Sequence, residues 1–427
     1  MIFTYLLRKY IRQITINPYP TIGLDEIKIA IIGLFKEEKK DYCNLFENRF
    51  SNYLGVKYSL SFGKGRIGLY AILTSLGIKQ GDEVLVPGYT CVVVPNAIIY
   101  TGAKPVYYDV GINTFNPLVS DMKKKITFKT KAIIIHHLFG QPAEIDEIKK
   151  VSDLYHIPVI EDCAQALGAE YKGKKVGTFF DFGFFSFDYT KNITTGQGGI
   201  VVVKDKKNFE KMKAIQQCCK KPSNLFVFWH LLNIIRYRLF LNQSVYFFGL
   251  PLIYLIDLVC KMIGLFNTTI TKDELNAEKP NCFMIKMHNI FAKIGLEQLK
   301  KIDLFNKVRI NNAMRLDEEL KKLNIETPHI IKNVKHIYLR YALCFKERQK
   351  LINLFRRNQV DVGCWFDSPI YPLKENMSLY GYDKGNCPNA DKISKEMINL
   401  PTHSDMNYHD IKRIINILKF HKKIVGI

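Results

Sequence analysis

The chain has 427 residues, with 62 Lys+Arg against 40 Asp+Glu and a formal net charge of +22. Hydrophobic residues at 47% and charged residues at 24% exclude a disordered or collagen-like polymer, and the length sets two or three domains with ample core. The charge calls for an acidic partner, whether nucleic acid, an anionic membrane surface or a phosphorylated substrate.

Residues 1–48 are basic and locally amphipathic, with Leu6, Leu7, Tyr10, Ile11 and Ile14 at helical spacing. That pattern suits a helix on the main body or a membrane-surface contact. The apolar stretch 2–7 is too short for a secretory signal and runs straight into Arg8, Lys9 and Arg12. From 49 to 215, strands at 83–86, 104–108, 132–135, 158–160, 182–186 and 199–203 alternate with helical stretches, which predicts an α/β domain with a largely parallel sheet. Ligands on such sheets bind at the carboxyl ends of the strands. Residues 216–280 break the rhythm: 225–266 is apolar and aromatic, and 239–256 carries no charged residue. Residues 281–427 return to mixed helix and strand. Ten scattered cysteines, with no CxxC pair and no Cys/His cluster at zinc spacing, point to a reducing, cytoplasmic compartment and to no metal centre.

Three motifs in 49–215 carry chemistry. In Phe182–Gly199, a hydrophobic strand ends at Ser186 and Lys191 follows in a turn rich in Thr and Gly. A poorly solvated lysine there is a nucleophilic amine; a well-solvated one is ordinary surface. In 159–169, a strand runs into Glu161-Asp162, and a carboxylate at that place either holds a protonated ring nitrogen or caps the next helix. In 61–72, a Gly-rich turn opens onto a helical pattern, which is a natural phosphate site, and Arg66 adds a planar charged fork. Together these make a site for pyridoxal phosphate (PLP).

The blocks 81–110, 137–142 (HLFGQP), 161–169, 185–199, 286–299, 387–390 (CPNA) and 400–403 (LPTH) resemble the DegT/DnrJ/EryC1/StrS aminotransferases in order and spacing. The resemblance implies the fold type I PLP transferase: an α/β large domain with a mostly parallel mixed sheet flanked by helices, plus a smaller C-terminal α/β domain. With it the chain divides into a basic segment 1–48, a PLP-binding domain 49–310 holding the insert 216–280, and a small domain 311–427. It implies that Lys191 bonds to PLP and shuttles a proton, that Asp162 pairs with the pyridinium nitrogen, and that Gln165 faces the phenolic oxygen. It further implies that Ser186, Gly65, Arg66 and Ile67 hold the phosphate and that Cys91 lies where members stack an aromatic on the ring; His137 matches a position near the site, where it either contacts substrate or packs, and Tyr89 is a second substrate candidate. Asp188 and Met284 also depart from the family pattern, Met284 standing where members carry an Asn for the partner's phosphate.

The implied reaction moves an amino group from glutamate to a keto sugar, most often nucleotide-linked, for amino-sugar and cell-surface polysaccharide biosynthesis in a homodimer. Alternatives are a PLP dehydratase, which typically lacks the lysine, and a non-catalytic PLP-fold regulator or scaffold. No nucleic-acid module is recognised. The insert reads as a membrane-dipping hairpin with 225–266 on lipid, as a helical pair buried on the body or partner, or as a single span. The first of these would place a cytoplasmic enzyme on the inner face of the membrane.

Overall fold

The computed structural model describes residues 14–16, 21–36, 40–241, 245–262 and 269–421. Its main sheet contains β1 (Tyr58–Phe62), β2 (Glu83–Pro87), β3 (Lys104–Tyr108), β4 (Thr130–His136), β5 (Val159–Asp162), β6 (Phe182–Ser186) and β7 (Gly199–Val203). The spatial order is β1-β7-β6-β5-β4-β2-β3. Strands β2 to β6 run parallel, while β7 and β1 add antiparallel at one edge.

The parallel strands are continuous apolar runs because helices cover both faces. Alternate residues feed opposite layers: Val84, Val86, Ile134, Ile160 and Phe184 enter one core, and Leu85, Ile133, Ile135 and Val159 enter another. The six expected strands all form. The additional one, β1, has the sequence Tyr-Ser-Leu-Ser-Phe, and its serines gain nothing from apolar burial. They are instead bonded inside the body, Ser59 to the Glu47 carbonyl at 2.8 Å and Ser61 to the Glu47 carboxylate at 2.6 Å.

Helices α1 (Leu24–Phe35) and α2 (Tyr42–Leu54) pack against the long α6 (Asn289–Lys322). Residues 24–35 and 42–48 are therefore part of the body. The helical pattern over 6–14 falls outside the described residues except at Ile14, which bridges to Val360. Helix α6 runs without interruption through residue 310, the expected domain boundary. Beyond it, β8 (Tyr341–Cys344) and β9 (Met397–Leu400) form a small antiparallel sheet with its own core around Leu351, Phe355, Ile398 and Ile414.

Among the described residues, the two long helices of the insert are α4 (Asn224–Phe240) and α5 (Tyr246–Met262). Ser223 starts α4 by accepting a hydrogen bond from the Phe226 amide. Val227, Leu231 and Ile234 then enter the core shared with α1 and α6. Helix α4 is thus a body helix that leaves Leu225, Phe228 and Leu239 exposed, while α5 presents Phe248, Leu252, Leu255, Val259 and Met262 outward. Among the described residues, no helix is long and apolar enough to cross a membrane.

Candidate active site

The carboxyl ends of the parallel strands open into a cavity of about 340 Å³. Register brings its floor together: His136 of β4, Asp162 of β5 and Phe184 of β6 are paired neighbours, and all three line the cavity. Ser186 ends β6 at the rim, and Lys191 follows in the loop, its amide bonded to the Asp188 carbonyl at 3.1 Å.

One wall is the start of helix α3 (Gly65–Ser75), which follows β1 after a two-residue turn. The Ile67 and Gly68 amides return to the Lys64 carbonyl, which leaves those of Gly65 and Arg66 as the donors at the helix mouth. Gly65 is required by close approach: a Cβ there would lie 2.9 Å from the Ser186 Cβ, and one on Gly199 would lie 2.4 Å from the Gly65 Cα. Lys64 precedes the helix and faces the cavity. Burial, helped by the neighbouring Arg66 charge, pulls its ammonium down to about 8. Two crowded cations, two helix-mouth amides and a serine hydroxyl form a cradle for a dianion.

Arg66 does not sit there alone. Its Nη1 is in a buried ion pair with Glu274, which lies on the segment returning from the insert. Glu274 also closes a capping box with Thr271. Despite burial, the Arg66 guanidinium and the Thr271 amide hold the Glu274 carboxyl below the usual range.

Burial raises the Asp162 carboxyl, and the Ala164 amide (2.9 Å) and the charge of Lys191 oppose that shift. A dry carboxylate held short of full compensation suits a cationic ring nitrogen. Gln165 lines the cavity and accepts from the Phe139 amide through Oε1 at 3.1 Å, which leaves Nε2 as its donor. His137 lines the cavity, yet both ring nitrogens are used. Nδ1 accepts from the Ala143 amide at 3.0 Å, so Nε2 carries the proton and donates to Glu161 at 3.1 Å. Glu161 in turn accepts from the Gly177, Phe179 and Phe180 amides. His137, Glu161 and Cys163 come within 4.8 Å of one another as potential metal ligands. Glu161's oxygens and both His137 nitrogens are already committed to hydrogen bonds.

Two expected positions lie away from the cavity lining. Tyr89 is fully buried and does not reach the cavity, because its hydroxyl bonds the Phe366 carbonyl and amide at 2.7 Å and so ties the large sheet to the C-terminal part. Ile67 is a core residue with its amide used inside the turn. Cys91 does line the cavity, beside Thr90. Sequence reading passed over Lys64, although its place between two glycines of the turn was the signal. It also missed Tyr237 from α4, and Arg340 and Trp365 from the C-terminal part, because distant segments deliver them.

The family model of the DegT/DnrJ/EryC1/StrS aminotransferase family matches residues 36–244 and 258–419. The chain belongs to this family. An uncharacterized protein of Methanocaldococcus jannaschii is 32% identical over 423 residues, 96% of this chain and 98% of its own. GDP-perosamine synthase of Escherichia coli O157:H7 is 30% identical over 379 residues, 87% and 88% of the two chains. Helicobacter pylori PseC, an aminotransferase involved in the biosynthesis of pseudoaminic acid, superposes with a TM-score of 0.75 at 21% identity, covering 96% of this chain and all of that one. The aminotransferase from Psychrobacter cryohalolentis gives the same TM-score at 22% identity, with the same coverage. These two likenesses show the fold; the family match makes the chain a PLP-dependent sugar aminotransferase. The stretch 245–257, most of α5, falls between the matched blocks.

Proposed function

We propose that this aminotransferase moves the amino group of glutamate onto a keto sugar carried by a nucleoside diphosphate, with Lys191 as its catalytic lysine. The observation that supports this most is the convergence of Lys191, Asp162 and the phosphate cradle on one cavity. When bound, PLP supplies an electron sink that lets the α-proton of an amino acid leave. The residues here fit it: Lys64, Gly65, Arg66 and Ser186 hold the phosphate, and Asp162 keeps a proton on the ring nitrogen. Gln165 Nε2 donates to the ring's oxygen. The Lys191 Nζ would take the proton from the donor's α-carbon and hold it as an ammonium for return. Cys91, smaller than an aromatic, leaves ring contact to the thiol, which burial keeps protonated.

The substrate class rests on the relatives' names, which carry GDP- and dTDP-linked sugars. Incubation of the holoenzyme with ¹⁵N-glutamate and a panel of GDP- and dTDP-linked keto hexoses tests it. Label in an amino sugar nucleotide is the expected product. Label recovered in none of them, with glutamate consumed, refutes the acceptor class.

As to assembly, we infer a homodimer, on the family resemblance, and expect sedimentation at twice the chain mass; a monomer at micromolar concentration overturns it. We also infer that α5 rests on an anionic membrane surface. Phe248, Leu252, Leu255, Val259 and Met262, spaced four and three residues apart, are all exposed, and Met262 reaches 80%. Its charged Asp257 turns inward to Arg236 at 2.6 Å. The stripe lies largely outside the blocks shared with the family, and Lys261 beside it suits lipid phosphates. Flotation with phosphatidylglycerol vesicles, lost in L252S/L255S/V259S, supports this; no flotation of the native chain sinks it.

A further inference from the structure

We propose that Tyr237 is a positioning residue that ties the lipid-facing helix α5 to the mouth of the active site, so that docking on an anionic membrane tightens the site on its amino donor. The inference rests on the proposed function, on both its donor and its membrane contact, and adds a regulation to that site. It starts from where the insert meets the cavity. Tyr237 of α4 lines it, and so do Thr269 and Ile270 on the segment returning from α5. Tyr237 is half-buried and Thr269 is exposed, so the insert supplies the mouth of the cavity and not its floor.

Tyr237 meets both sides at once. On the active-site side its ring stands edge-on to Tyr189, with centroids 5.0 Å apart and planes at 83°. Tyr189 also lines the cavity, two residues before Lys191, and its hydroxyl is tied to His230 of α4 at 3.1 Å. On the insert side Tyr237 packs against the small apolar cluster formed by Leu241 and Ile253, where Leu250 joins it. The Arg236 guanidinium carbon lies 5.2 Å from the Tyr237 ring centroid, and Asp257 of α5 holds that guanidinium at 2.6 Å. Leu250, Ile253 and Asp257, three and four residues apart, thus make the inward face of α5, opposite the exposed stripe from Phe248 to Met262. This footing is slight, because the cluster under α5 has two buried residues, and segments with few buried apolar contacts open locally at low cost. Lipid that covers the outer stripe fixes α5 and, through Tyr237, the mouth and the Tyr189 side of the Lys191 loop. The donor then binds to a wall already ordered, which raises affinity without a new contact.

The test uses the PLP-loaded chain with and without phosphatidylglycerol vesicles, following the visible band of lysine-bound PLP on mixing with glutamate. In the native chain vesicles lower the apparent Kd for glutamate about tenfold, an ordinary size for coupling between two sites, and leave the limiting rate unchanged. Coupling of binding is reciprocal. Saturating 2-methylglutamate, which lacks the α-proton and binds without turnover, therefore raises vesicle affinity in flotation by the same factor. D257N and Y237L keep the lipid stripe and still float, but in both the vesicle effect on glutamate disappears. Y237F, which keeps the ring, retains it. Flotation of the native chain with an unchanged glutamate Kd overturns the proposal and leaves the proposed function standing. So does a vesicle response in D257N and Y237L equal to the native one. If the native band ignores glutamate, the aminotransferase reading fails; if the native chain does not float, the membrane reading fails; the coupling falls with either.

Discussion

The Arg66–Glu274 pair gives the sharpest energetic prediction. In E274Q the Arg66 guanidinium loses its counter-charge in a place where its side chain is 9% exposed and that of Glu274 is 2% exposed. Breaking a buried pair by removing one partner costs about 3–5 kcal/mol. With about 2.1 cal/mol/K of unfolding entropy per residue over roughly 400 residues, that is a fall of about 4–6 °C in Tm. The deficit depends on what occupies the cradle. In the apoenzyme Lys64 and Arg66 repel one another, and Glu274 is a nearby carboxylate that offsets both. A bound phosphate dianion supplies the missing counter-charge, so the deficit shrinks when PLP is present. Differential scanning calorimetry of native and E274Q protein, each with and without PLP, measures this directly. The thermal shift on adding PLP should be larger in E274Q than in the native chain. An equal deficit in both forms would refute the reasoning, because Arg66 would then be a structural ion pair with no share in the phosphate site.

Three further predictions concern single positions. Lys64 is pulled down to about 8 in the folded apoenzyme, below its ordinary value, so it loses its proton as pH rises through 8. PLP binds the protonated form better, and its affinity should drop between about pH 7 and 9 by a step that equilibrium dialysis sees in the native chain and not in K64M. The same sign makes the apoenzyme gain stability from Lys64 as pH rises from about 8 towards 10.5, since only the unfolded chain keeps the proton there. G65A places a methyl 2.9 Å from the Ser186 Cβ and should cost PLP affinity at least tenfold by dialysis, with far-UV circular dichroism unchanged. L231A opens a cavity under α4, where Leu231 is fully buried, and should lower stability by about 2–5 kcal/mol in urea unfolding. A change under about 1 kcal/mol would mean that α4 is a detachable arm and not a body helix.

The sheet and the chemical ends of its strands were legible because they are local. Buried parallel strands advertise themselves as runs such as Ala132–Ile135; strand register fixes Asp162 at a strand end, and Lys191 follows in the loop after Ser186. Strand β1 was hidden because its alternate serines answer to Glu47 and not to solvent. Tyr89 and Ile67 lie off the cavity lining for a related reason: a motif places a residue along the chain, whereas only packing decides which way a side chain or an amide faces. The two cavity walls delivered by α4 and β8 could not be read locally at all. Tyr237 lies 46 positions from Lys191 and Arg340 lies 149, and nothing near either residue states that they meet. The insert, apolar over 225–266 in sequence, divides by burial: in α4 Val227, Leu231 and Ile234 fill the core beside α1 and α6 while Leu225, Phe228 and Leu239 stay exposed, and in α5 an apolar stripe from Phe248 to Met262 faces outward.

The proposed function requires a PLP bonded to Lys191. One spectrum tests that most directly: absorbance between about 320 and 450 nm, where lysine-bound PLP absorbs, of the purified chain and of K191A, before and after glutamate. The native chain should be coloured, lose that band on adding glutamate and regain it with 2-oxoglutarate, while K191A should lack the band even when PLP is supplied. A native chain that stays colourless after reconstitution with PLP, or a K191A variant with the same glutamate-sensitive band, would contradict it.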